Sequence, residues 1–452
     1  MTSPAPLTAL EIGKAISDGT IDPRDLLEGY AARIAERDAE ARIFYRTTLP
    51  RARAEAKAAR ERARAGLGRS PLDGVPLSWK DLFDSAGTQT PAGSKMLAGR
   101  VPRHDAAALA RLTAAGTVCI GKTAMTELAF SGLGINPVYG TPANAWDAGT
   151  ERVPGGSSSG AAVSLAHDMC AAAIGTDTGG SVRIPASWNG LVGFKPNHGS
   201  ISTRGVVPLC LSLDTVGPLT RCVSDAAALF ALMAGTRAPV LEDETLRGRS
   251  IIVPDELVFD DADAGIAQAV EAALDTIEKS GAHVRREAAD PISRMNTLTW
   301  DSGISLAAVE AWGHWGDTIK RHGALMYPPV RARFEGGAKP SAQDVWRLMI
   351  ERNHQRSALS AQLAAVDAIA MPTIPIDPPS IAALADGGPD YDRANRLALR
   401  NTTLANQLDM CAITLPVGTS AAGLPVGLML MAPRGRDVRL LRLAHAVERA
   451  LA

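Results

Sequence analysis

The chain has 452 residues, 46% hydrophobic and 21% charged, with 47 basic and 48 acidic side chains. That length supports one large α/β domain or two to three smaller ones. A net charge near zero excludes the electrostatic footprint of a general nucleic-acid binder or a polybasic membrane protein.

Cys119, Cys170, Cys210, Cys222 and Cys411 are odd in number and form no C-x-x-C pair. Neither a disulfide framework nor a zinc site is expected, and a reducing compartment is. The N-terminal MTSPAPLTALEIGKAISDG carries acids early and lacks the apolar stretch of a signal peptide. No run approaches the ~18 apolar residues of a membrane span. These features lead to the expectation of a soluble cytoplasmic enzyme.

Residues 7–37 read as two helices, the second entered at Pro23 behind an Asp22 cap. The stretch PRARAEAKAARERARAG, residues 50–66, places opposite charges three or four apart and predicts a solvated helix. From residue 71 short apolar runs alternate with glycines, in GVPLSWKDLFD, GTVCIGKT, CAAAIGTDTGG and GLVGFKP. With helical stretches at 105–115 and 159–168 between them, these predict a large α/β sheet. Residues 260–280 and 340–370 are helical in pattern. VDAIAMPTIPI and MCAITLPVG read as late strands before a helix at 437–451. No repeat or low-complexity linker marks a domain cut. The glycine-rich 71–235 is the expected chemical half, and 290–360, rich in Trp and His, the expected variable cap.

Three glycine-bearing motifs compete for the chemistry. Gly116–Thr123 matches G-x-x-x-x-G-K-[ST], but its intervening Thr-Val-Cys-Ile looks like the strand that should precede a phosphate cradle. Lys122 therefore reads as structural or surface. Gly156-Ser157-Ser158-Ser159-Gly160 matches G-x-S-x-G centred on Ser158, yet the polar, turn-rich NAWDAGTERVP before it is not the strand an elbow requires. His198 and His445 have no local sequence marking either as a base.

The third motif has its context. Ala171–Ile174 reads as a short strand leading into Gly175-Thr176-Asp177-Thr178-Gly179-Gly180-Ser181, with Pro185 suited to the first turn of a following helix. N–H groups from Thr178 to Ser181 can point into one concavity, as an oxyanion requires. A glycine-rich turn of this kind can equally be structural. A serine without a histidine needs another base, and a desolvated lysine near neutrality can supply it. Lys80, closing an apolar stretch beside Trp79, is the candidate. Its alternative is a snorkelling lysine or one paired with Asp81.

Together GVPLSWKDLFD, GTVCIGKTAMTELAF, NPVYGTPANAWD, PGGSSSGAAVSLA, GTDTGGSVRIPAS, GLVGFKPNHGSIS, SLDTVGPLTR, ITLPVG and GLPVGLML resemble the amidase signature family, in order and over nearly the whole chain. The resemblance implies one domain over 1–452, an α/β/α sandwich whose mixed, mostly parallel central sheet is surrounded by helices. It implies a Ser–cisSer–Lys set with Ser181 as nucleophile, Ser157 as bridging serine behind a cis peptide, and Lys80 as base. Thr178, Gly179 and Gly180 would form the oxyanion hole, with Ser158, Asp177 and Arg183 in support. Ala129-Phe130-Ser131 is placed as a pocket wall by its position before NPVYG. The sequence departs from the family at the third serine of GGSSSG, at Asn197, and in NQLDMCAITLP, which bears on the pocket.

The expected activity is hydrolysis of a small-molecule linear amide, with carbamates (urethanes), anilides and esters within reach, and no cofactor, metal, nucleic-acid or membrane partner. The alternatives are the A subunit of a tRNA-dependent amidotransferase and, from another class, a nucleotide-binding protein using 116–123. Oligomeric state is left open, with a homodimer as the candidate.

Overall fold

The computed structural model describes residues 6–147 and 149–452, so the first five residues of the N-terminal segment lie outside it. Eleven strands form one sheet: β1 Phe44–Thr47, β2 Pro76–Lys80, β3 Val118–Thr123, β4 Ala172–Asp177, β5 Val192–Lys195, β6 Thr215–Thr220, β7 Ser250–Pro254, β8 His283–Glu287, β9 Ala368–Pro372, β10 Cys411–Thr419 and β11 Pro425–Ala432. Their spatial order is β1-β3-β2-β4-β6-β5-β10-β11-β9-β7-β8. The sheet is mixed. β2 runs parallel to both β3 and β4, and β7 runs parallel to β8 and β9. The remaining neighbours are antiparallel. Helices cover both faces, as the α/β expectation requires.

β2 positions the site. Alternate residues of a strand face opposite sides, and Leu77 and Trp79 enter the larger apolar core. Ser78 and Lys80 point the other way, toward the helix Ser159–Ala166, where Ser78 Oγ lies 3.0 Å from Ser164 Oγ. Lys80 is thus the last residue of a strand buried on both faces. Ligand crevices in open α/β sheets form outside the carboxyl ends of such parallel strands, and β4 ends beside it at Asp177.

Two sequence expectations change in detail. β4 is longer than its apolar start suggests, running to Asp177, because Gly175, Thr176 and Asp177 pair with Gly217, Val216 and Thr215 of β6. The helix over 50–66 forms as Leu49–Arg64, but it is not simply solvated. Its Ala52, Ala56 and Ala59 are buried, and several of its charges reach across the fold: Arg51 to Asp105, Arg53 to Glu28 and Arg62 to Asp73. The small alanine stripe lets it pack closely, so its arginines find distant partners.

The phosphate-loop match is a strand. Val118–Thr123 is buried throughout and its backbone is paired in the sheet. Lys122 Nζ donates to the Asp81 carbonyl and to Thr90 Oγ1, each at 3.2 Å. No cradle remains for a phosphate. All five cysteines are free, and among the described residues no helix is long and apolar enough to cross a membrane.

Candidate active site

Lys80, Ser157 and Ser181 come from β2, the loop before Ser159–Ala166 and the turn after β4. Lys80 is fully buried, and its Nζ donates to Ser157 Oγ at 2.7 Å and to Thr176 Oγ1 at 2.8 Å. Burial pushes its ammonium down to about 7, against the opposing pull of Asp214 and Asp177. The Gly156–Ser157 peptide is cis. The two serine-bearing loops are tied where Ser158 N–H donates to the Ser181 carbonyl at 3.2 Å. Ser158 Oγ itself donates to the Thr176 carbonyl at 3.3 Å and supports β4. Among the described residues Ser181 Oγ makes no hydrogen bond; Ser181 lines a cavity of about 260 Å³.

Asp177 organises the turn that carries Ser181. Its carboxylate receives Gly180 N–H at 2.8 Å and Val182 N–H at 3.2 Å. Arg183 meets it with Nη2 at 2.8 Å and Nε at 3.0 Å, both residues being fully buried. Burial alone would raise this carboxyl, but the Arg183 charge and hydrogen bonds overcome it and hold it at about 2. Replacing Arg183 with methionine leaves a buried unpaired carboxylate, so a loss of about 3–5 kcal/mol is expected from urea unfolding. An unchanged midpoint would show that the pair is not structural.

The turn's donors differ in part from the expected set. Gly180 N–H is already taken by Asp177, so Gly180 is not free to serve an oxyanion. The N–H groups of Thr178, Gly179 and Ser181 have no partner among the described residues. Gly180 acts instead as the bend. Its φ is +134°, and an added Cβ would sit 2.2 Å from Thr402 Oγ1.

A second layer comes from far along the chain. The helix Pro389–Gln407 presents Thr402 and Thr403, whose hydroxyls donate to the Gly179 carbonyl at 2.7 and 3.0 Å. Asn406 Nδ2 donates to Asp177 Oδ1 at 3.0 Å, and Arg183 Nη2 returns a bond to Asn406 Oδ1. From β6's entry, Asp214 accepts Thr178 Oγ1 at 2.5 Å and the N–H groups of Leu209 and Cys210. Asp214 lies in SLDTVGPLTR and Asn406 opens NQLDMCAITLP, but neither was given a role from the sequence, and Thr402 and Thr403 were not singled out. Their signal is the run Asn401-Thr402-Thr403…Asn406-Gln407, buried polar residues in a helix, which demand partners.

Ala129, Phe130 and Ser131 line the cavity with Ser181, Thr178 and Gly179. Ser131 Oγ is fixed by Tyr391 OH at 2.9 Å and Asn395 Oδ1 at 3.0 Å. Thr299, Trp300, Gly303, Ile304, Ser305, Ala307, Ala308 and Arg333, from the segment expected to be a cap, complete the wall. The histidines lie elsewhere, with His198 Nε2 on the Leu211 carbonyl and His445 near Glu448.

Asp214 provides a pH test. Its charge raises Lys80 against burial, so D214N should move the acid limb of the kcat/KM profile to lower pH. Loss of the Thr178 anchor should at the same time reduce the plateau. A limb that moved upward would contradict this reading.

Residues 25–441 match the family model described as Amidase. A 2-amino-5-chloromuconic acid deaminase of Comamonas testosteroni is 36% identical, the match covering 88% of this chain and 86% of the relative. The glutamyl-tRNA(Gln) amidotransferase A subunit of Anaeromyxobacter dehalogenans (strain 2CP-C) is 35% identical over 98% of this chain and 95% of that one. A crystal structure of an amidase superposes with a TM-score of 0.89 and 32% identity, covering 99% and 100% of the two chains. The sequence motifs, the sheet and these relatives agree: the chain belongs to the amidase signature family, hydrolases of amide C–N bonds.

Proposed function

We propose that the protein hydrolyses linear amides through an acyl-enzyme on Ser181, with Ser157 as proton relay and Lys80 as base. The observation that carries this is the 2.7 Å bond from a fully buried, near-neutral Lys80 to Ser157 Oγ, beside the cavity that Ser181 lines. Neutral Lys80 accepts the Ser157 proton while Ser157 accepts that of Ser181, whose oxygen attacks the carbonyl carbon. The bound substrate brings Ser157 and Ser181 into hydrogen-bond reach, as catalytic contacts commonly tighten only in the complex.

Negative charge then develops on the former carbonyl oxygen. The free N–H groups of Thr178, Gly179 and Ser181 are the donors for it, each worth about 3–4 kcal/mol in a comparable hole. As the C–N bond breaks, Ser157 returns the proton to the departing amine and recovers it from Lys80. Water, deprotonated through the same pair, attacks the Ser181 ester and releases the acid. The same sequence serves anilides and esters, where only the leaving group changes, and carbamates, where loss of the amine leaves a carbonate ester on Ser181 that water cleaves in the same way.

The test is a panel of purified amides, carbamates, anilides and esters, followed by release of ammonia, amine or alcohol. Turnover of an amide that disappears in S181A supports the reading. Turnover that survives in S181A contradicts it.

A further inference from the structure

The cavity beside Ser181 carries a single charged side chain among its described lining residues, Arg333. Arg333 Nε is buried and has no hydrogen-bond partner, and its guanidinium forms no ion pair among the described residues. Phe130, whose ring centre lies 4.8 Å from the guanidinium carbon, stacks on it, and the charge of Asp392 favours it from beyond ion-pair distance without offsetting its burial. Other inward arginines are satisfied: Arg183 by Asp177, and Arg352 by the Gln407 carbonyl. A guanidinium stays charged and presents a planar fork of donors that matches a carboxylate. Left unpaired inside a cavity it is costly, unless a ligand completes it.

The rest of the wall narrows the ligand. Leu209, Leu213, Trp300, Ile304 and Leu399 make much of it apolar. No aspartate or glutamate lines it among the described residues, so no carboxylate there balances an ammonium charge, which would sit in the same cavity as the Arg333 cation. The volume, about 260 Å³, sits below the roughly 300–1,000 Å³ of drug-sized sites and suits a small molecule.

We infer that the substrate is a small amide bearing a carboxylate, held by Arg333 beside a short apolar body, and that an α-ammonium group is rejected. This rests on Ser181 being the acylated residue, and it deepens that reading by naming the substrate class. Free glutamine carries the required amide and carboxylate but also the ammonium, so it is a poor substrate on this view.

Three matched sets of probes test the inference on the unaltered enzyme. Monoamides of the straight-chain diacids from glutaric to suberic acid carry the carboxylate, chain-matched alkyl amides lack it, and L-glutamine is the glutaric monoamide with an added α-amino group. The best diacid monoamide should exceed its neutral match in kcat/KM by roughly 10- to 100-fold, the scale of one or two charge-assisted hydrogen bonds, mostly through KM. The glutaric monoamide should exceed glutamine by about tenfold or more, the cost of desolvating an unpaired ammonium. R333Q should collapse the carboxylate-to-neutral ratio, and R333K should keep part of it, as a point charge without the fork.

Equal or better turnover of the neutral amides at every length would overturn the inference, as would preference for glutamine over the glutaric monoamide. Turnover of every probe surviving in S181A would overturn the acyl-enzyme reading instead.

Discussion

S181A is expected to lower kcat/KM for any hydrolysed amide by roughly 10⁴- to 10⁶-fold, the scale on which serine hydrolases fail without their nucleophile. The fold should survive, because Ser181 Oγ makes no hydrogen bond among the described residues and its removal orphans no partner. The neighbouring S158A is the informative control. Ser158 Oγ supports the Thr176 carbonyl at 3.3 Å, a bond whose loss costs about 1 kcal/mol. It should therefore retain most activity. A chromogenic anilide measures both variants. Activity lost in S158A and kept in S181A would contradict the assignment.

Lys80 carries the second large effect. A base contributes about 10²- to 10⁴-fold, so K80A or K80M should lose at least that much. The pH profile separates a base from a merely structural lysine. With Lys80 brought down to about 7, about half of it is neutral at pH 7, whereas an ordinary lysine would be neutral in roughly one molecule in 3,000. In the proposed mechanism the working form is the deprotonated one, so activity should rise with pH. The expected kcat/KM falls about tenfold per unit below pH 7 and levels above it. Full activity held well below neutrality would exclude a lysine base. A limb still climbing past pH 9 would show that burial does not depress Lys80 as proposed.

Much of this architecture was readable in the residues. Pro23 behind Asp22, the β-branched runs around Gly116–Thr123 and the closing helix at 437–451 all follow local rules of capping and periodicity, and the structure forms them there. The site was legible where one stretch of chain supplies both the group and its setting. Thr178–Ser181 is such a stretch, as is Lys80 at the end of an apolar strand. What stayed hidden depends on contacts across the fold. That Gly180 N–H belongs to Asp177 follows from a carboxylate turned back onto its own turn, and no spacing rule reports that direction. Thr402 and Thr403 sit 223 and 224 residues from Gly179, so only tertiary packing makes them part of the site. Arg333 was not singled out within the expected cap of 290–360. Its meaning lies in the partner it lacks.

The most direct test of the central claim is where a reagent that traps the nucleophilic serine lands. A serine-directed fluorophosphonate, followed by peptide mass mapping, should leave its adduct on Ser181, with labelling lost in S181A and slowed below pH 7 as Lys80 becomes protonated. An adduct on Ser157 or Ser158 in the wild-type enzyme would contradict the account.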